Sequence, residues 1–190
     1  MKNSEIEKLN FSGWPLPDEY LIEVGRVTSL WASFENFLNT CIGKLAGFDD
    51  LYDPKAYILV THGSFPQRLN ILSALCEQLF PEYPNLEPYK SVIEKIKRAQ
   101  NERNKFAHNS FSLNSETGKM HMPLGSARGS LKVRVENISI ADIRKATIAI
   151  DEAQIALYNL VLKAEYEPVW KRKQAKQSTS HGLPKQPSNQ

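Results

Sequence analysis

The chain has 190 residues, 41% hydrophobic and 24% charged, enough for one globular domain with its own core and too few for two. Its formal charge of +3 is unevenly spread: Lys171, Arg172, Lys173, Lys176 and Lys185 fall in residues 171–190 with no acid, leaving −2 over residues 1–170. This excludes a broad basic nucleic-acid face on the body, and no apolar run approaches the roughly 20 residues of a membrane-spanning helix.

Met1-Lys2-Asn3-Ser4-Glu5 lacks a secretion-signal pattern, so a cytoplasmic protein is expected. Residues 1–18, with Gly13, Pro15 and Pro17, read as an irregular lead-in that Trp14 pins to the body. Asp18 is the predicted N-cap of a helix over about 19–46, ending near Gly47. Leu21, Val24, Thr28, Trp31, Glu35, Leu38, Ile42 and Leu45 share one face of it, and Glu35 is the only charge in that row. A second row, Tyr20, Val27, Leu30, Phe34, Phe37 and Cys41, makes the helix wide in apolar surface, as at the centre of a bundle or at a subunit interface.

Asp53-Pro54 predicts a short helix through about Val60, and Ser64-Phe65-Pro66-Gln67 fits a capping box. The helix it opens carries Leu69, Leu72, Cys76 and Leu79 on its face and ends before Pro81. A third main helix runs from about Glu87 to His108. Phe111–Leu113 and Met120–Met122 flank Asn114–Gly118 as a hairpin, and Gly125–Gly129 is a flexible link. Leu131–Val135 alternates as a half-buried strand does. The last main helix begins at Ser139 with Asp142 three residues on, stapled by Ile138 and Ile143, and carries Ile143, Thr147, Ile150, Gln154, Leu157, Val161 and Ala164 to about Glu167. From residue 169 the composition is that of a basic disordered tail. The predicted fold is all-α: an antiparallel four-helix bundle over 19–168 with a small β-hairpin insertion, about 110–136, between the third and fourth main helices.

Cys41 and Cys76 read as buried thiols, and His62, His108, His121 and His181 are scattered without metal-ligand spacing, so neither metal nor cofactor is expected. The chemistry concentrates at one place. Val92, Ile96, Ala99, Arg103 and Phe106 form one face of the third main helix, and Arg103 puts a permanent charge where a core residue belongs. Glu35 is the matching acid on the first, so a Glu35–Arg103 ion pair is predicted. Asn104 and His108 share a helix face one turn apart. An imidazole takes and gives protons near neutral pH, and a guanidinium holds phosphate through paired N–H bonds. Together they suit cleavage of RNA by its own 2′-hydroxyl, with no metal required. A bare structural role is the competing reading: His108 capping the last carbonyls and the ion pair fixing helix register.

Arg103, the polar Asn104 and His108 at the end of the third helix of an α-bundle resemble the motif of HEPN (higher eukaryotes and prokaryotes nucleotide-binding) domains. Trp31-x-x-x-Glu35 resembles an acidic position of several members. The likeness spans about residues 19–165, and the β insertion departs from the minimal bundle. It implies an endoribonuclease acting as a toxin or phage-defence effector. It also implies RNA as substrate, a homodimer whose two motifs face one cleft, and an antitoxin or regulatory protein as a further partner. The implied roles are His108 as acid–base, Arg103 as phosphate binder, Asn104 as positioning donor and Glu35 as orienter of Arg103. The alternatives are a non-catalytic HEPN-like module that binds a nucleotide or protein, and a purely structural dimerisation protein.

Overall fold

A computed structural model describes residues 3–10, 16–48, 53–126, 129 and 132–164. Trp14, Arg128, Leu131, the expected helix end near Glu167 and the basic tail lie outside the described residues. Helices dominate. The elements in order are α1 (Asn3–Ile6), α2 (Asp18–Ala46), α3 (Pro54–Val60), α4 (Phe65–Leu79), a 3-10 turn at Pro84–Leu86, and α5 (Tyr89–Ala107). Strands β1 (Ser112–Leu113), β2 (Met120–Ser126) and β3 (Lys132–Ile138) follow, then α6 (Ile140–Val161). Among the described residues no helix is long and apolar enough to cross a membrane.

Local chemistry sets the boundaries. Gly47 takes the left-handed conformation, φ 82°, that lets its own N–H and that of Phe48 close the last turn of α2 on Lys44 O and Gly43 O. Pro17, not Asp18, occupies the N-cap; Asp18 is the first helical residue, with its carboxylate at the positive end of the helix dipole. Asp53 accepts the Lys55 N–H at 2.8 Å, and Gln67 Oε1 accepts the Ser64 N–H at 2.8 Å. Ser139 and Asp142 cap α6 reciprocally, through Ser139 N–H to Asp142 Oδ2 at 3.1 Å and Asp142 N–H to Ser139 Oγ at 3.3 Å. Hydrogen bonds from the Ser139 hydroxyl, Lys145 and the Ser139 N–H hold the Asp142 carboxyl far below the usual range.

α2 lies centrally and packs on α4, α5 and α6, while α5 packs along α6. Both predicted rows contribute to its buried face, with Trp31, Leu38, Ile42 and Leu45 from the first and Val27, Phe34 and Cys41 from the second. Val27, Phe34 and Cys41 are fully buried beside Leu38 and Leu45, whereas Thr28 is exposed. Both rows are used because α2 has neighbours on several sides. The expected antiparallel order also fails for one pair. Tyr20 Oη donates to Ile138 O at 3.3 Å and Arg144 bonds Glu23 at 2.8 Å, so α2 and α6 start at the same end of the molecule.

The insertion is a three-stranded antiparallel meander in the order β1-β2-β3, pairing Met120 with Ile138 through Ser126 with Lys132. Gly125 and Ser126 are thus strand rather than link. Met120, Met122 and Ile138 turn inward, but Val133 and Val135 are 63% and 60% exposed, so the half-burial expected of β3 does not hold. The alternation is real, yet no layer among the described residues covers its apolar side.

Glu23 is a buried charge that the apolar rows conceal. It is 3% exposed and bound by Arg26 and Arg144, each at 2.8 Å. The Arg144 hydrogen bond is the main cause that holds its carboxyl below the ordinary value. A lowered folded pKa contributes stability that is present above the unfolded value, about 4.3 for Glu, and lost as pH falls through the folded value. Melting temperature should therefore be level near neutrality and drop on acidification below about pH 4. In Glu23→Gln the drop should be shallower, as thermal melts across pH would show.

Candidate active site

The apolar face of α5 forms as predicted: Val92, Ile96, Ala99 and Phe106 are buried and Arg103 is half-buried in line with them. The helix stops at Ala107, with His108 exposed as its C-cap and its N–H on Asn104 O at 3.3 Å. Asn109 Nδ2 takes Lys105 O at 2.8 Å. This closure places the three motif residues together. Arg103 Nη1 donates to Asn104 Oδ1 at 3.1 Å and stands 2.9 Å from His108 Nε2. A guanidinium can only donate, so a hydrogen bond at this distance takes Nε2 as the acceptor and leaves Nδ1 as the other ring position. Asn104 keeps its amide NH2 as a donor, and Arg103 Nε is buried without a hydrogen-bond partner.

Glu35 does not pair with Arg103. Its Oε2 lies 3.3 Å from Arg68 Nη2, and its Oε1 accepts the Trp31 indole N–H at 2.8 Å. Arg103 instead sits over the Trp31 ring, with Cζ 5.6 Å from the centroid. Trp31 is therefore the joint: its face carries one arginine and its N–H holds the acid that belongs to the other. The reason is reach across three helices. Glu35 faces the first turns of α4, where Arg68 enters the core 7% exposed and gives Nη1 to Asn39 Oδ1 at 3.0 Å. Phe65 completes the stack, its centroid 4.6 Å from Trp31 and 5.8 Å from Arg68 Cζ. Each such cation–π contact contributes on the order of 0.5–2 kcal/mol, the upper end when desolvated. Two guanidiniums thus flank one aromatic pair, with a single carboxylate on Arg68.

Arg68 and Asn39 escape the seam reading. The signal for Arg68 is nonetheless in the chain, a charge inside an apolar row as on α5, because Phe65, Arg68, Leu72 and Cys76 recur at three- and four-residue spacing. Among the cations of α5 and β3, Lys97 pairs with Glu94 at 2.7 Å, while Lys105 and Arg134 both hold Glu136, at 2.8 and 2.9 Å. Lys105 is the chief cause that keeps the Glu136 carboxyl below its usual range. That bridge ties β3 to the motif end of α5, helped by the stacked rings of Phe106 and Phe111, 6.4 Å apart. His62 is exposed before α4 and His121 lies in β2, neither joined to the cluster. Cys41 and Cys76 are free buried thiols, Cys76 pushed up to about 12 by burial. Among the described residues no three His, Cys, Asp or Glu side chains gather as a metal site. No family model, curated protein or solved structure matches the chain.

Proposed function

We propose that this chain is a metal-independent endoribonuclease of the HEPN type, built on a four-helix bundle and acting in the cytoplasm. The observation that carries the reading is the grouping of Arg103, Asn104 and an exposed His108 at one helix end. His108 Nε2 has a lone pair to take the 2′-hydroxyl proton once a phosphate draws Arg103 away from it. The 2′-oxygen then attacks the adjacent phosphorus, the bond to the 5′-oxygen breaks, and a 2′,3′-cyclic phosphate remains. Arg103 holds the non-bridging oxygens as charge grows, and Asn104 adds a donor. Trp31, backed by Glu35 and Arg68, keeps the guanidinium at that height. The leaving 5′-oxygen needs a proton, and the chain offers one histidine at the site, so a homodimer facing two motifs supplies the second group.

The family likeness extends the proposal to a toxin or phage-defence effector restrained by an antitoxin or regulatory protein. The experiment is incubation of purified protein with single-stranded RNA in chelator, beside the same strand with 2′-O-methyl groups. Cyclic-phosphate ends from the first and no cleavage of the second are expected. Retained RNA binding without cleavage would instead establish the non-catalytic module.

A further inference from the structure

β3 is the outer strand of its sheet, and one side of it is bonded to β2. Apart from the Tyr20 hydroxyl on Ile138 O, no described group bonds to its other edge. An exposed strand edge templates further pairing unless charge, proline or a bulge blunts it. β3 has no proline, and its charges do not blunt it against every partner. Along one face run Lys132, Arg134 and Glu136, opposite in sign at adjacent positions, and along the other run Val133, Val135 and Asn137.

We infer that β3 pairs antiparallel with β3 of a second copy of this chain, centred on Val135, to make one continuous sheet of both insertions. In that register Arg134 of each copy lies opposite Glu136 of the other, and Val135 lies opposite Val135. Directly opposed side chains on an antiparallel pair have Cβ atoms about 4.5–5.5 Å apart, close enough for these pairs to interact. Centring on Arg134 opposes two guanidiniums, and centring on Glu136 opposes two carboxylates. A centre on Val133 sets Lys132 against Arg134. Among these four centres only Val135 brings no like charges together. Arg134, 73% exposed, holds Glu136 of its own chain at 2.9 Å and exchanges that bridge for one to the second copy, while Lys105 keeps Glu136 in place. The two valines, 63% and 60% exposed in the single chain, gain apolar neighbours across the joint.

The pairing also has a place in the chemistry. Glu136 is bridged to Lys105, three residues before His108, so the joint forms at the motif end of each molecule. That consequence rests on the ribonuclease reading; the pairing itself does not.

The test is mild oxidation of the full chain carrying Val135→Cys, beside Val133→Cys and the unaltered chain, whose own cysteines are buried. A covalent dimer is expected from Val135→Cys and little from Val133→Cys, whose opposite residue is Asn137. Light scattering should show a dimer for the unaltered chain and a shift of at least about tenfold toward monomer in Val135→Asp, where two carboxylates meet on the axis. A monomeric unaltered chain, equal crosslinking of both cysteine variants, or a dimer indifferent to Val135→Asp would each overturn the inference. A crosslinked dimer that leaves RNA intact would sink the ribonuclease reading alone, whereas a monomer that cuts RNA would sink this pairing and the two-motif dimer while leaving the cleavage activity itself standing.

Discussion

Cleavage of RNA by His108→Ala should fall by about 100- to 10,000-fold with the fold intact, the range expected when a general acid–base group is removed. The imidazole is exposed and its side-chain partner is Arg103, so its loss should move stability by no more than about 1 kcal/mol. Arg103→Lys tests the other half of the pair. Lysine keeps the charge but loses the planar fork, the contact over Trp31 and the bond to Asn104, so it should not rescue. The measurement is initial cleavage rate beside a thermal melt for each variant. Full activity in His108→Ala would remove the histidine from the chemistry. A large melting shift in the same variant would restore the bare structural reading of the helix end.

Glu35→Leu should cost about 3 kcal/mol, because it strands a guanidinium whose side chain is 9% exposed. Arg68→Met should cost less on the acid's account, since the Glu35 side chain is 34% exposed and can turn to water. Part of that saving is lost, because Asn39, 5% exposed, gives up its only side-chain donor. Losing both charges together should recover about 1–3 kcal/mol relative to the sum of the single losses. The pair expected from helix periodicity behaves differently. Glu35→Leu with Arg103→Met should come close to additive, for those residues meet only through Trp31. Denaturant melts of the five variants decide between the partners. Strong coupling of Glu35 to Arg103 and none to Arg68 would contradict the arrangement of α2, α4 and α5 described above.

The same contrast marks where sequence reasoning succeeds and where it stops. Gly47, Asp53-Pro54, Ser64 with Gln67 and Ser139 with Asp142 each lie beside a helix end, because a cap is made by residues within four positions of each other. The meeting of Arg103, Asn104 and His108 was legible for the same reason: one turn of one helix brings them together. The hairpin of β1 and β2 was legible from its turn residues.

Beyond one element, the pattern in the chain no longer chooses. α2 has two apolar rows, and only packing against α4, α5 and α6 turned Val27, Phe34 and Cys41 fully inward. Val133 and Val135 alternate like buried residues, but nothing in their own strand says whether a layer will lie over them. Glu35 announced a buried charge and not its partner, since periodicity names the face of a helix and leaves open which neighbour fills it. The sequence by itself determined helices α2 to α6, several of their caps and the Arg103–Asn104–His108 cluster, all made by neighbours in the chain. Tertiary structure alone decided that Glu35 belongs to Arg68, that Trp31 carries Arg103, and that no described strand pairs with the outer edge of β3, because these depend on how separate elements are turned and stacked.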